Sequence, residues 1–248
     1  MFDSHSHLLP DFMKDVGRVV ENAINSGVRY IVNSAIEPHQ VAFTFNLEEK
    51  YKKFIYSTIG FAPQKIKKIN FNESVRAIEN NESIVAVGEI GLDYHWINEA
   101  LWREKQKEAF IQLIKLANSM EKPIVIHSRK AESDCIDILE KHSDVPVLMH
   151  CFAGNAIETE RVIELGWLIS IPTAVVNRKK HRKITRKTPL KQIVVETDSP
   201  FLSPIPRTQN EPANICYAIE EVAKLKKTSF EEVNSYTTKN ALEFFNIT

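Results

Sequence analysis

The sequence contains few cysteines, and their spacing indicates neither a disulfide framework nor a structural zinc site. Cys135, Cys151 and Cys216 are odd in number and widely separated, and no Cys-x-x-Cys pair occurs. This usage is typical of proteins in a reducing compartment. The first residues also lack the charged start and apolar run of a secretory signal, so we expect a cytoplasmic protein.

An excess of one charge and long hydrophobic runs are absent too. The 32 Lys and Arg residues balance the 32 Asp and Glu residues, so a polyanion would have to be held by local groups rather than by the overall field. No segment approaches the roughly 18 consecutive apolar residues of a membrane span. There is no repeat or Gly/Pro/Ser-rich linker, so we expect a single domain over residues 1–248 with no obligate protein partner.

Short apolar runs alternate with helical patterns along the chain. Most of the runs are rich in Val and Ile and apolar on both faces, as in buried parallel strands. The predicted strands are 2–7, 30–34, 54–59, 84–88, 123–127, 145–150, 167–170 and 193–197. Eight strands alternating with helices in a chain of this length predict an α/β fold, a (β/α)8 TIM-like barrel; a doubly wound open sheet is the alternative.

Helical spacing of apolar residues marks several segments between and after these strands. The predicted helices are 14–26, 99–119, 130–141, 155–165, 211–227 and 230–246. Between the eighth strand and the last two helices, residues 199–212 contain four prolines. We expect this segment to form a long loop over the mouth of the barrel.

Ionisable side chains stand at the ends of five predicted strands. In a parallel barrel these ends share one rim, which is where the active sites of such barrels lie. The residues concerned are His5, His7, Glu89, His127, His150, Glu196 and Asp198. Each could separately be an ordinary core or turn residue, but burying so many charges without partners or a metal would be costly.

The number of possible ligands at the rim indicates more than one metal ion. A catalytic zinc-type site uses three or four ligands, so six candidates favour two ions about 3.5–4 Å apart. Glu89 is the best candidate for a shared ligand, because a carboxylate can bridge two ions and a neutral imidazole cannot. The nitrogen and oxygen donors suit Zn, Mn, Ni, Co or Fe(II), and Mg less well.

Several short motifs, in this order and spacing, resemble the TatD-type metal-dependent hydrolases of the amidohydrolase superfamily. They span nearly the whole chain and read FDSHSH at 2–7, GEIGLDY at 88–94, PIVIHSR at 123–129, HCFAG at 150–154, ETDSPFL at 196–202 and NEP at 210–212. The resemblance implies a TIM-like barrel, two divalent ions and hydrolysis of phosphodiesters, typically DNA. It also implies that the ligands are His5, His7, Glu89, His127, His150 and Asp198.

The rim residues and the resemblance together predict metal-assisted hydrolysis by an activated water. Asp198, a ligand that could also contact the water, is the expected proton acceptor, with Glu89 as the second catalytic carboxylate. Glu196 lies two residues earlier on the same strand face. It could orient a ligand imidazole or simply pack in the barrel core.

The substrate side of the sequence departs from the family pattern. Where the family commonly has Gly-x-His-Pro, residues 60–63 read Gly-Phe-Ala-Pro, so a histidine expected to approach the substrate is absent. The segments 171–175 and 205–209 also differ. Metal-dependent hydrolysis is therefore better supported than DNA specificity. The candidate substrate contacts are Asp93, His95, Arg129, Arg207 and Asn210.

A basic run without a single acid extends from residue 178 to 191. On a helix its cations would form adjacent rows at four-residue spacing. They could contact a nucleic acid electrostatically, or they could form an ordinary solvated helix face. The run contains no aromatic residue for stacking on single strands.

Three functions remain open from the sequence. The leading one is a divalent-metal-dependent deoxyribonuclease. In the second, the metal centre is the same but the hydrolysed bond is not a phosphodiester, as in an amidohydrolase or a D-aminoacyl-tRNA deacylase. The third is a non-catalytic, metal-stabilised barrel that binds nucleic acid, which the open type of ligand set disfavours because structural metal sites are usually closed.

Overall fold

Eight parallel strands, paired in chain order, form the frame of the molecule in a computed structural model of residues 1–248. This sequential order confirms the predicted barrel and excludes the doubly wound sheet, in which the strand order reverses. The strands are Phe2–Ser6 (β1), Tyr30–Ala35 (β2), Ile55–Ile59 (β3), Ala86–Asp93 (β4), Ile124–Arg129 (β5), Val147–Met149 (β6), Leu168–Pro172 (β7) and Ile193–Glu196 (β8).

The barrel closes between β8 and β1 through the residues that follow β8. The backbone N–H of His7 donates to the carbonyl of Ser199 at 2.7 Å, and that of Asp198 donates to the carbonyl of His5 at 3.0 Å. Deeper in the barrel, the buried Asp3 carboxylate accepts the backbone N–H of Thr197 at 2.8 Å. These bonds fix Asp198 beside the histidines of β1.

Nine α-helices surround the sheet, and none of them is long and apolar enough to cross a membrane. They are Val16–Asn25 (α1), Val41–Lys50 (α2), Phe71–Glu79 (α3), Ala100–Ser119 (α4), Glu132–His142 (α5), Ala156–Glu164 (α6), Lys179–Lys187 (α7), Ile215–Lys226 (α8) and Phe230–Phe245 (α9). The sequence patterns missed α2 and α3. The predicted start of α8 at 211 is wrong, because a short 3-10 helix, Pro212–Asn214, precedes it.

The C-terminal helix, α9, closes the end of the barrel interior opposite the rim. Six strands contribute to one small apolar cluster, which also includes the last aromatic residues of α9. The rings of Phe2 and Phe245 stack there with centroids 5.9 Å apart. The strand residues in the cluster are Phe2, Val32, Ala86, Val125, Leu148 and Val194. Their position defines which face of each strand points inward.

Three of the strands that carry predicted metal ligands follow the two-residue alternation from this cluster up to the rim. On β5, inward-facing Val125 is followed two residues later by His127. On β6, Leu148 is followed in the same way by His150, and on β8, Val194 is followed by Glu196 and then Asp198. Regular strand geometry is therefore enough to aim these side chains.

The other two ligand-bearing strands each contain one extra residue. In β1 the pairing with β2 shifts between Asp3 and Ser6, and in β4 the pairing with β5 shifts between Gly88 and Ile90. Strict alternation from Phe2 and Ala86 would turn His5 and Glu89 away from the interior. A one-residue bulge re-aims a side chain, and both residues consequently face the centre of the rim.

Candidate metal centre

The rim residues converge on the floor of a cavity of about 530 Å³ at the carboxyl ends of the strands. The cavity is lined by His7, Glu89, His127, His150 and Asp198 among others, with His5 buried directly beneath them at 0% exposure. All six sequence-predicted ligands therefore lie together.

Each of the four imidazoles directs one nitrogen toward this common centre. The Nε2 atoms of His5 and His7 are 3.2 Å apart. The His150 Nε2 atom lies 3.1 Å from Glu89 Oε2, and the His127 Nδ1 atom lies 3.8 Å from Glu89 Oε1. His5 also reaches Glu89 Oε2, at 3.4 Å. Glu89 is thus the carboxylate that the imidazoles of three strands share.

Asp198 completes the centre on the side of β1. Its Oδ1 atom is 3.6 Å from His7 Nε2 and 3.9 Å from His5 Nε2. The Asp198 backbone has a φ of 56°, in the left-handed region that Asp tolerates better than most residues. The side chain keeps 14% exposure, against 4% for Glu89. Asp198 is therefore the carboxylate that borders the open cavity.

The nitrogen that faces away from the centre is fixed by a different partner in three of the imidazoles. His7 Nδ1 contacts the Ser34 carbonyl at 3.1 Å, and His127 Nε2 contacts Asp93 Oδ2 at 3.0 Å. His150 Nδ1 contacts both Glu196 oxygens, at 3.1 and 3.2 Å. Such outer partners set the orientation and basicity of ligand imidazoles. Of these partners, the sequence had indicated only Glu196 in this role.

The charges behind the imidazoles divide them into two kinds. Burial lowers the pKa of His5 and lowers that of His7 to about 4. Burial acts in the same direction on His127 and His150, but Glu89 and Asp93 raise the pKa of His127 to about 9. Glu196 and Glu89 raise the pKa of His150 well above its usual value.

The two carboxylates at the centre also shift in opposite directions. Burial would raise the pKa of Glu89, but the charge of His127 and hydrogen bonds from His127, His150 and His5 hold it well below its usual value. Burial raises the pKa of Asp198 to about 8, and the negative charges of Glu196 and Glu89 act in the same direction, against the lowering effect of His150 and His127. A bound cation would lower the pKa of Asp198 again, since it would be the largest local charge.

The donor set fits divalent metal ions. Two groups of ligand atoms each lie within 4.8 Å of one another, one from His5, His7 and Asp198 and one from His5, Glu89 and His150. Nitrogen and carboxylate donors of this kind suit zinc and similar first-row ions. The two groups share His5, and Glu89 Oε2 lies 3.4 Å from His5 Nε2, so the donor set is compatible with two neighbouring ions.

Comparison with known proteins identifies the family. The family model for TatD-related DNases matches residues 2–246. The chain belongs to the TatD-related DNase family. It is 34% identical to the uncharacterized metal-dependent hydrolase YabD of Bacillus subtilis over 100% of this chain and 99% of that one. It is 31% identical to human deoxyribonuclease TATDN3 over 99% of this chain and 94% of that one.

A solved structure agrees with this assignment. The crystal structure of YjjV, a TatD homologue from Escherichia coli, superposes with a TM-score of 0.90 and 25% identity, over 100% of this chain and 98% of that one. The resemblance noted in the sequence and the predicted barrel are both confirmed. The chain therefore belongs to the metal-dependent hydrolases of the TatD family.

Only one of the five predicted substrate contacts lines the cavity of this TatD hydrolase. Arg129 lies at the wall, with its guanidinium 5.8 Å from the ring of Trp96. Asp93 and Asn210 are each only 1% exposed and make internal contacts. Asp93 holds His127, and the Asn210 amide donates to the Thr197 carbonyl at 2.7 Å.

The other two expected contacts also lie elsewhere. His95 and Arg207 do not line the cavity; the His95 ring packs edge-on against Trp96, 4.9 Å away. Gln64, beside the altered segment after β3, and Arg178, at the start of the basic run, do line the cavity, as do four side chains that sequence reasoning missed: Phe12, Lys65, Glu132 and His181. No local motif marks them, because they come from loops and helix starts that the barrel brings together.

The altered Gly-Phe-Ala-Pro segment after β3 is buried rather than aimed at substrate. Phe61 is 2% exposed and packs edge-on against Phe71 at 5.3 Å, and Ala62 is fully buried. Gln64, one turn further on, reaches the cavity instead, and its Oε1 atom is buried without a hydrogen-bond partner. All six predicted metal ligands are thus present at the rim, whereas the segment after β3 on the substrate side departs from the family pattern.

Proposed function

We propose that this TatD-family hydrolase cleaves phosphodiester bonds in DNA with two divalent ions. The observation that carries the proposal is the convergence of four imidazoles and two carboxylates on the floor of a cavity whose walls carry Arg129 and Arg178. A negatively charged diester suits such walls. Divalent ions, when bound, supply Lewis-acid activation of water and neutralise charge on the phosphate.

The ligand set divides between the two sides of the rim. His5, His7 and Asp198 would hold one ion, and His127 and His150 would hold the other. Glu89 is within 3.4 Å of His5 and 3.1 Å of His150, which makes it suitable as the shared ligand. The name of human TATDN3 and the family description favour DNA among the phosphodiesters.

Three side chains have separate roles toward the substrate. Asp198, which borders the open cavity, accepts the proton of the attacking water on its carboxylate. The Arg129 guanidinium pairs with phosphate oxygens, in the two-pronged geometry that arginine favours. Trp96, which is 61% exposed at the cavity wall, offers a face on which a base can stack.

The test uses protein stripped with a chelator and then supplied with Mg²⁺, Mn²⁺ or Zn²⁺. Labelled single- and double-stranded DNA is the substrate, and cleavage should depend on the added metal. The double variant His127→Ala with Asp198→Ala should abolish it. His142→Ala, at the end of α5 and far from the rim, serves as the matched histidine control.

Two outcomes would contradict the proposal. Cleavage that survives the chelator, or that the double variant leaves unchanged, would rule out the metal centre as the catalyst. Metal-dependent hydrolysis of esters or amides, with none of DNA, would keep the centre and shift the substrate to that of an amidohydrolase or a deacylase.

A further inference from the structure

The outer face of α7 is a strongly basic surface that the proposed mechanism does not use. Eight cations and no acid occur between residues 178 and 191. Only two of the eight form ion pairs, Arg182 with Glu221 at 2.9 Å and Lys187 with Glu160 at 3.1 Å. The helix packs on the barrel through His181, Ile184 and Thr185, so its other cations face outward.

Three of these cations form one exposed stripe along the helix. Lys179, Lys183 and Arg186 are spaced by four and then three residues, so they lie on one side of it. With a rise of about 1.5 Å per residue, the stripe is about 10 Å long. That length matches the axial rise of about three nucleotides of one strand, at about 3.4 Å each. The stripe therefore has the right length to contact consecutive phosphates.

The stripe is continuous with the cavity through the residue before the helix. Arg178 lines the cavity and immediately precedes Lys179, where α7 begins. The first turn of α7 contains no acid and two lysines, although positive charge is unfavourable at the N-terminal end of a helix dipole. These lysines do not stabilise the helix, and Lys179 and Lys183 have no carboxylate partner in the structure.

We propose that the face formed by Lys179, Lys183 and Arg186, called the α7 face, binds the phosphates that flank the scissile bond in a longer polynucleotide. This inference rests on the proposed function, because it assumes that the cavity takes a nucleic acid. The protein as a whole carries no net charge, so attraction of a polyanion must come from local surfaces of this kind. The α7 face would make activity depend on substrate length and on salt.

The experiment compares two triple variants that remove the same charge. One is Lys179→Gln with Lys183→Gln and Arg186→Gln. The matched control is Lys50→Gln with Lys115→Gln and Lys141→Gln, which are exposed, have no carboxylate partner and lie on α2, α4 and α5 rather than on α7 or the adjacent α8. The substrates are a 20-nucleotide labelled DNA and bis(p-nitrophenyl) phosphate, at low and high salt.

We expect the α7 variant to lower the ratio of kcat/KM for the 20-mer to that for the small diester by about tenfold at low salt, with little difference at high salt. The salt dependence of log kcat/KM on the 20-mer should become shallower by about 2, at about 0.7 per lost single-strand phosphate contact. The control should change the ratio less than twofold. An unchanged ratio, or an equal change in the control, would overturn the inference.

Binding separates this inference from the proposed function. Anisotropy of the labelled 20-mer is measured with chelator present, so that no cleavage occurs. If wild-type protein binds the 20-mer and the α7 variant alone binds it weakly, the α7 face is supported even if no DNA is cleaved. If DNA is cleaved and both triple variants bind it like the wild type, the inference fails alone. If the wild type neither binds nor cleaves DNA, both proposals fail.

Discussion

The histidines of β1 and those of β5 and β6 reach the same centre by different means. His127 and His150 follow the plain alternation of their strands and are backed by the carboxylates of Asp93 and Glu196. His5 and His7 depend on a bulge, and no carboxylate lies behind them; His7 instead meets the Ser34 carbonyl. The rim therefore combines two imidazoles with raised pKa values, His127 and His150, with two imidazoles with lowered pKa values, His5 and His7.

The comparison shows that regular strands and bulged strands can contribute to one centre, although they place different demands on the sequence. The regular strands need only the correct residue two positions beyond an apolar one. The bulged strands β1 and β4 need an extra residue and a neighbour that accommodates it. Gly60 is such a neighbour, because a Cβ atom added there would lie 2.1 Å from the Glu89 carbonyl oxygen. The bulged half should accordingly be the more sensitive to substitution.

The largest expected effect comes from the ligand on bulged β4. Glu89→Gln removes the charge that His5, His127 and His150 share while keeping the size of the side chain. We expect kcat/KM to fall by on the order of 10³-fold or more, since several kcal/mol of metal-centred stabilisation are lost. Steady-state kinetics with saturating metal measure this. Activity within tenfold of the wild type would contradict the role of Glu89.

The second effect tests the packing around the bulge. Gly60→Ala should lower the free energy of unfolding by about 3 kcal/mol, because overpacking against backbone cannot be relieved by a rotamer change. Gly17→Ala in α1 is the matched control; its added Cβ would have only ordinary contacts, the nearest at 3.6 Å. It should raise stability by about 0.5–1 kcal/mol. Urea unfolding measures both, and equal effects would refute the bulge constraint.

The third effect concerns the carboxylates behind the regular strands. Glu196→Gln and Asp93→Asn each remove the charge that faces a ligand imidazole, His150 and His127 respectively. Each should cost about 10–100-fold in metal affinity or activity, less than Glu89→Gln. Metal titration and kinetics on both variants check this. A loss as large as that of Glu89→Gln would mean that these carboxylates act at the centre itself.

The smallest expected effect concerns a buried histidine that has no carboxylate partner, so that its pKa reports mainly on burial. Burial lowers the pKa of His181, on α7, to about 4 from an ordinary 6.5. The unfolded chain therefore takes up this proton first as the pH falls. Stability contributed by the neutral imidazole is complete above about pH 6.5 and is lost toward pH 4. By pH 5 the loss is about 2 kcal/mol.

The His181→Gln variant measures that loss directly. Urea unfolding at pH 7 and pH 5, with chelator in both, should give a smaller drop in stability for the variant than for the wild type. The ligand histidines are present in both proteins, so their titration cancels in the comparison. The same drop in both proteins would show that His181 is not buried in its neutral form.

Sequence alone predicted the parts of this fold that depend on local pattern. The ends of the predicted strands located His127, His150 and Asp198 at the rim, and the two-residue alternation placed Glu196 one layer below Asp198. The bulges of β1 and β4 could not be predicted, because an extra residue is defined only by the pairing of two strands. The strand ends still placed His5 and Glu89 at the rim, but the bulges that turn them inward are visible only in the structure.

Other errors have equally physical causes. α2 was missed because Phe43 and Phe45, spaced two apart, do not follow helical periodicity. Asp93 and Asn210 look like free polar groups in the sequence, but the fold buries them against His127 and Thr197. Arg178 belongs to the basic run noted in the sequence, but only the position of α7 in the fold shows that it lines the cavity. The substrate side of the cavity is formed largely by loops. Their contacts arise only in the tertiary fold, so local sequence patterns do not reveal them.

Metal stoichiometry tests the central claim most directly. Chelator-stripped protein is titrated with Zn²⁺ or Mn²⁺, and bound metal per chain is measured after removal of the excess. The two groups of ligand atoms, which share His5, predict two ions per wild-type chain. Because His127 is proposed to hold only one of them, His127→Ala should bind one. Binding of no ion, or of a single ion that His127→Ala leaves in place, would contradict the two-ion centre.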